Sequence, residues 1–297
     1  MYPRAFHYHR ASTLKEATGM LAQLGDEAKL LAGGQSLIPL MKLRFANPAH
    51  LIDLNFIPGT SYIKEADGGL RFGAMTRHAE IENSPLAVEI PILHDCAAGI
   101  ADVQVRNRGT IGGSLAEADP SGDWATVLMT LATEVRCLGP KAERTIPLQE
   151  FIRDAYTTAL AHDELVSEVV VKAPPKGSGG AYLAFKRSAP VYPTASAAVQ
   201  LVMEGDTCKI AAISLGCVGL TPIKAAESEA ALRGQPISAK TMQAAAEAAQ
   251  AAAEPQPDMR GSADYKRRLV GALVKRAIQI ASRRARGEQV EVSHLYA

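Results

Sequence analysis

Cysteine is scarce in this 297-residue chain. The four present, Cys96, Cys137, Cys208 and Cys217, form no C-x-x-C pair, and none has a histidine at metal-ligand spacing. An iron–sulfur cluster, a structural zinc and a disulfide scaffold on this chain are therefore not expected. Neither sign of charge prevails, with 32 Lys+Arg against 31 Asp+Glu. That balance argues against a globally basic nucleic-acid protein and against a disordered acidic chain. Aromatic residues make up only 5%. The longest apolar stretches are alanine-rich, so no membrane-spanning segment is expected. The opening Met-Tyr-Pro-Arg-Ala-Phe-His has no basic stretch followed by an apolar run. With the sparse cysteines, that points to the cytoplasm as the compartment. The histidines at 7, 9, 50, 78, 94, 162 and 294 show no H-E-x-x-H or paired spacing, so core or surface roles are expected rather than metal ligation. Ser114 and Ser121 lie in no G-x-S-x-G elbow, which speaks against a serine hydrolase.

What is present is ample apolar content, 47% of the chain, enough for two or three compact units. Residues 12–55 read as helix, strand, glycine turn, helix, strand. Thr13 and Glu16 have capping-box spacing, and Leu14, Ala17, Leu21 and Leu24 share one helix face. Strands are expected at 29–32 and 51–54, with a helix between them. From about residue 60 to 172, short strands at 70–73, 134–138 and 168–171 alternate with helices near 79, 92–98 and 124–131. Residues 173–180, Ala-Pro-Pro-Lys-Gly-Ser-Gly-Gly, read as a linker. Beyond it come strands at 181–185, 195–203 and 209–215, then helices at 224–232, 238–253 and 263–283. The expected units are 1–57, 58–175 and 178–289. Strands followed by helices in the last unit predict an antiparallel sheet with helices packed on it, an α+β arrangement.

Two glycine segments carry the clearest chemical signal. Ala32-Gly33-Gly34-Gln35-Ser36 follows a strand, and Gly109-Thr110-Ile111-Gly112-Gly113-Ser114 lies in the second unit. Glycine lets backbone N–H groups come close to an oxyanion, and a diphosphate needs donors from more than one side. Neither segment is G-x-G-x-x-G or G-x-x-x-x-G-K-[ST], so Rossmann and P-loop readings have no support. Either segment alone could be a tight turn.

With their flanks, residues 32–44 (Ala-Gly-Gly-Gln-Ser-Leu-Ile-Pro-Leu-Met-Lys-Leu-Arg) and 104–123 (Gln-Val-Arg-Asn-Arg-Gly-Thr-Ile-Gly-Gly-Ser-Leu-Ala-Glu-Ala-Asp-Pro-Ser-Gly-Asp) resemble the FAD-binding medium subunit of molybdenum hydroxylases. The nearest group is that of aerobic carbon monoxide dehydrogenase, related to the flavin domain of xanthine dehydrogenase. Ile-Asp-Leu (52–54), Phe-Gly-Ala-Met-Thr (72–76), Ala-Leu-Ala-His-Asp-Glu-Leu (159–165), residues 219–232 and Gly-Ser-Ala-Asp-Tyr-Lys-Arg-Arg-Leu (261–269) extend the resemblance over essentially the whole chain. It implies a two-lobed FAD-binding domain of the vanillyl-alcohol-oxidase/PCMH type, followed by a C-terminal medium-subunit domain.

The resemblance also implies roles for single residues. Ala32, Gly33, Gly34, Gln35 and Ser36 match a diphosphate-binding segment, and Thr110, Ile111, Gly112, Gly113 and Ser114 match a second phosphate-binding segment. Asp123 matches an acid on the adenosine side of FAD; a cap on a helix starting at Trp124 would explain it equally. Lys186 matches a lysine near the isoalloxazine, where a cation raises the flavin potential. Val166, or its neighbour Leu165, falls where the family packs an apolar residue on the flavin, though a core strand position would serve as well. Tyr192 falls where a tyrosine borders the ring. Here it sits in Ala189-Pro190-Val191-Tyr192-Pro193, where the family commonly has Gly-Asp-Tyr-Ala, and two prolines stiffen the segment.

The implied function is electron transfer. FAD on this chain would take electrons from two [2Fe–2S] clusters on a small iron–sulfur subunit. Those clusters would serve a large subunit carrying the molybdenum cofactor, and the flavin would pass the electrons to an external acceptor. The alternative is a stand-alone FAD-dependent oxidoreductase of the same fold. It would need its own substrate pocket with a proton donor, and no Ser/Glu/Arg constellation for that stands out. The basic run Arg260, Lys266, Arg267, Arg268, Lys275, Arg276, Arg283, Arg284 and Arg286 reads as a solvated face of an amphipathic helix or a docking face for an acidic partner subunit. Without interleaved stacking aromatics, it does not point to nucleic acid.

Overall fold

Three hydrophobic cores, each built on its own sheet, organise the computed structural model, which describes residues 2–292. The first unit runs β1 (His7–Arg10), α1 (Leu14–Leu24), β2 (Ala28–Leu31), α2 (Leu37–Leu43) and β3 (His50–Asp53). Its sheet is parallel, in the order β1-β3-β2, with His7 and Ala28 both opposite His50. Parallel pairing needs crossovers, and α1 and α2 supply the helices for them. The Thr13 hydroxyl accepts from the Glu16 N–H at 3.0 Å. The Glu16 carboxylate reaches one residue further back than a capping box requires, to the Ser12 N–H at 2.7 Å. Ala17, Leu21, Ile52 and Leu54 form this core together with Met75 and Leu165 of the second unit.

The second unit begins with β4 (Ile63–Ala66) and β5 (Gly69–Gly73). A string of short helices follows: α3 (His78–Glu82), α4 (Pro85–Val88), α5 (Pro91–Gly99), α6 (Val103–Arg106), α7 (Ile111–Glu117) and α8 (Asp123–Leu128). Then come β6 (Thr133–Leu138), β7 (Glu143–Pro147), α9 (Leu148–Phe151), the small pair β8 (Ile152–Asp154) and β9 (Thr157–Thr158), and β10 (Leu165–Lys172). The main sheet is antiparallel, ordered β4-β5-β10-β6-β7, with Val169 opposite both Phe72 and Val135. Trp124, Phe72 and Phe151 are fully buried in the core of this unit.

One expectation changes here: the second glycine segment is the first turn of α7 rather than a loop. Thr110 caps that helix by accepting from the Gly113 N–H at 3.1 Å. The cap and burial override the low helix propensity of Gly112 and Gly113.

The third unit is an antiparallel sheet of β11 (Ser178–Phe185), β12 (Ala195–Glu204), β13 (Thr207–Gly216) and β14 (Ile223–Lys224). Helices α10 (Ala226–Leu232), α11 (Ala239–Ala252) and α12 (Ala263–Ala285) pack on it. The fold as a whole is thus α+β, the first unit's sheet being parallel and the two larger sheets antiparallel. The linker expected at 173–180 ends sooner than the sequence suggests, because β11 already includes Ser178, Gly179 and Gly180. Those glycines permit close packing: a Cβ on Gly179 would lie 2.1 Å from the Ala281 carbonyl oxygen of α12.

The basic run is not one solvated face. Lys266 is 4% exposed and lies 2.9 Å from Asp258, and Arg284 turns inward to Asp95. Among the described residues no helix is long and apolar enough to cross a membrane. His294 lies outside the described residues, and no cluster of three or more His, Cys, Asp or Glu suited to a metal occurs among the others. Cys96, Cys137, Cys208 and Cys217 are free thiols.

Candidate cofactor site

The two glycine segments meet. A Cβ on Gly33 would fall 2.3 Å from the Arg108 carbonyl oxygen and 2.7 Å from the Gly109 Cα, so only glycine permits this approach. Gly34 has φ +74°, a left-handed conformation that suits glycine. A polar hub holds the approach in place. Asn55 donates to the Ala32 carbonyl at 2.9 Å, and Arg77 donates both to Asn55 Oδ1 and to the Arg108 carbonyl. Asp53, beneath the hub, accepts from the Tyr8 hydroxyl at 2.7 Å and the Asn55 N–H at 2.8 Å.

A cavity of about 290 Å³ opens where the three units converge. Ala32, Gly33, Gly34, Gln35 and Ser36 line it from the first unit. Thr110, Gly113, Ser114 and Asp123 line it from the second, and Lys186 and Tyr192 from the third. Ile111, Gly112 and Val166 are not on its wall. Ile111 is buried in the second core, and Gly112 is pressed against Ala74. Val166, 6% exposed on β10, and Leu165 point into the second and first cores, so the core-strand alternative describes them.

The two segments differ as donors. Among the described residues, the N–H groups of Gly33, Gly34, Gln35 and Ser36 meet no acceptor. Those of Ile111, Gly112 and Gly113 are already used, by the carbonyls of Thr76 and Ala74 and by the Thr110 hydroxyl. The first segment therefore offers backbone donors, whereas the second offers the Ser114 hydroxyl and a closely packed wall. Free N–H groups beside glycine suit the oxygens of a phosphate or diphosphate. The donor set and the glycine approach fit a dinucleotide cofactor.

The opposite wall is charged. Asp123 is 6% exposed and opens α8, whose cap is Gly122, so capping is not its role. It accepts from the Tyr182 hydroxyl at 2.7 Å. Burial pushes its carboxyl above the usual range, against the pull of Lys186 and the Tyr182 hydrogen bond. Lys186 follows β11, is 8% exposed and donates to the Gly99 carbonyl. Tyr192 stands at the rim with Arg260 at 5.6 Å from its ring centroid, and burial together with Asp119 raises its phenol well above the usual value. Glu117, also on the wall, is raised by burial and by Asp119. Asp119 itself is occupied in a turn, accepting from the Ser121 N–H at 2.8 Å.

Sequence reading missed the Asn55–Arg77 hub, the Tyr182–Asp123 bond and His78, which lines the wall and accepts from the Trp124 indole N–H at 3.0 Å. Only Ile-Asp-Leu and Phe-Gly-Ala-Met-Thr, which flank Asn55 and Arg77, hinted at the first of these.

Known proteins resemble this chain over nearly its whole length. Residues 4–174 match the family described as FAD binding domain in molybdopterin dehydrogenase, and residues 180–281 match the CO dehydrogenase flavoprotein C-terminal domain. The chain is 41% identical over 282 residues to the carbon monoxide dehydrogenase medium chain of Hydrogenophaga pseudoflava, covering 95% of this chain and 98% of that one. It is 38% identical over 296 residues to the 6-hydroxypseudooxynicotine dehydrogenase complex subunit alpha of Paenarthrobacter nicotinovorans, covering 99% and 100%. A solved structure of the Hydrogenophaga pseudoflava carbon monoxide dehydrogenase, in a form lacking the Mo-pyranopterin moiety of its molybdenum cofactor, superposes with TM-score 0.92. The identity is 42%, over 95% of this chain and 98% of that one.

Proposed function

The chain belongs to the FAD-binding medium subunits of carbon monoxide dehydrogenase-type molybdenum hydroxylases, and we propose that it is the electron-transfer flavoprotein of such an assembly. It is an oxidoreductase subunit that binds FAD. The observation that carries the reading is the single cavity uniting both glycine segments with Asp123, Lys186 and Tyr192.

When bound, FAD supplies the exchange between one-electron clusters and a two-electron acceptor. The chain's own residues hold and bias it. The free N–H groups of 33–36 take phosphate oxygens. Thr110 keeps Gly113 in place by capping α7, and Ser114 adds a hydroxyl. Asp123, its carboxyl fixed by Tyr182, accepts from sugar or base donors. Lys186 places a cation on the far wall, which favours a more negative cofactor state. Tyr192 lines the cavity at its rim, with Arg260 beside its ring.

No acid–base pair is required of these side chains. The partners fitting this role are a large molybdenum subunit and a small subunit with two [2Fe–2S] clusters, in the cytoplasm, with an external acceptor taking the electrons. The substrate is selected at the molybdenum centre of the large subunit. Affinity purification of the full chain from its native host tests the assignment. Co-purification with two subunits carrying molybdenum and iron is expected. A lone flavin-bearing chain with its own oxidase activity would contradict it.

A further inference from the structure

The cavity wall holds a polar side chain that the motifs do not mark. His78 opens α3, is 5% exposed and lines the cavity. Its backbone N–H donates to the Gly109 carbonyl at 3.1 Å, and Arg77 bridges Thr110, so it is fastened to the second glycine segment. Its ring edge packs on Gly109, where a Cβ would lie 2.6 Å from Nε2.

The other ring nitrogen settles the tautomer. Nδ1 lies 3.0 Å from Nε1 of the fully buried Trp124. An indole nitrogen only donates, so Nδ1 accepts and the proton of the neutral imidazole is on Nε2. Burial keeps the ring neutral, and the positive charges of Arg77 and Arg106 add to the effect; together they push its pKa down to about 3. Among the described residues Nε2 meets no acceptor. The backbone donors of 111–113 are spent within the protein, so Nε2–H is a fixed neutral donor on a wall otherwise poor in them.

We infer that His78 is a further cofactor-binding residue, donating from Nε2–H, in the tautomer set by Trp124, to an acceptor oxygen of the dinucleotide beside residues 109–114. This rests on the reading that the cavity holds FAD.

The test uses the full chain stripped of flavin. Trp124 is the chain's one tryptophan, and its fluorescence on FAD addition reports binding. His78→Phe, which keeps the ring and loses both nitrogens, is expected to weaken FAD binding about tenfold. His78→Gln, which can accept from Trp124 and still donate, is expected to bind within about threefold of the unaltered chain. Nitrogen-15 NMR of the unaltered chain is expected to show the Nε2–H tautomer, with its signal moving on FAD addition. The inference is overturned by equal FAD affinity for His78→Phe, by an Nδ1–H tautomer, or by an Nε2–H signal that FAD leaves in place. The NMR result decides if His78→Phe does not fold. Failure of the unaltered chain to bind FAD would remove the site reading as well, whereas equal binding by both proteins removes only the role of His78.

Discussion

Arg284 offers the sharpest stability test, because it ties the last helix to the second unit through a buried pair. Its side chain is 8% exposed and that of Asp95, on α5, is 2% exposed. Nη1 and Nη2 bind the two carboxylate oxygens at 2.6 and 3.0 Å, and the remaining donors go to the carbonyls of Gly180 and Val290. Asp95 also accepts from the Tyr182 N–H at 3.1 Å, which sets β11, and with it Lys186 and the Tyr182–Asp123 bond, against the second unit. Arg284→Met keeps most of the volume and strands the carboxylate. An unpaired buried charge costs about 3–5 kcal/mol. At roughly 2–4 °C per kcal/mol, the melting temperature should fall by about 6–20 °C. Pairing Arg284→Met with Asp95→Leu removes the stranded charge, so the double variant should cost about 2 kcal/mol or more below the sum of the singles. Differential scanning fluorimetry and urea unfolding measure both quantities. A melting temperature within about 2 °C of the unaltered protein, or additive costs, would show that the buried pair does not hold α12 to the second unit.

Gly33→Ala puts a methyl group 2.3 Å from the Arg108 carbonyl, so the two glycine segments must separate. FAD affinity, read by flavin fluorescence titration, should fall about tenfold or more, and an unchanged affinity would mean that the close approach is not needed for binding. Acid stability is a second test. Between pH 6.5 and about 3 the unfolded chain protonates His78 while the folded chain keeps it neutral. Folding stability should therefore drop as pH falls through that window, by about 1.4 kcal/mol per unit from this residue. His78→Gln should lose that part of the slope in urea unfolding at a series of pH values; parallel slopes would contradict the assignment. Lys186→Met should lower the two-electron potential of the bound flavin in spectroelectrochemical titration, about 30 mV for each 1.4 kcal/mol of lost stabilisation. An unchanged potential would place the lysine outside the flavin's field.

The long helices were readable because their apolar spacing is regular: Val270, Val274, Ala277, Ile278 and Ala281 mark the buried face of α12. The first glycine segment was equally plain, and the strand preceding it shifts by only one residue. β1 was not, because its pattern is mostly exposed, leaving no apolar alternation to detect. The helical start of the second segment was hidden because Gly-Gly reads as a turn unless the Thr110 cap is known to form. Gly179 and Gly180 misled in the same way, since a linker glycine and a close-packing glycine are spelled alike. Distant partners were beyond sequence reading altogether. Trp124 lies 46 residues from His78, and Arg284 lies 189 from Asp95. Val166 was matched to a family position for an apolar contact with the flavin, and β10 buries its side chain in the second core, away from the cavity wall.

Every residue role proposed above depends on FAD occupying the cavity between the three units. The direct measurement is flavin stoichiometry of the purified full chain, compared with a Gly34→Val/Gly113→Val double variant whose fold is checked by circular dichroism. About one FAD per chain is expected, released on denaturation, and almost none in a folded double variant. A chain without flavin's visible absorption after reconstitution, or a folded double variant that keeps its full FAD content, would contradict it.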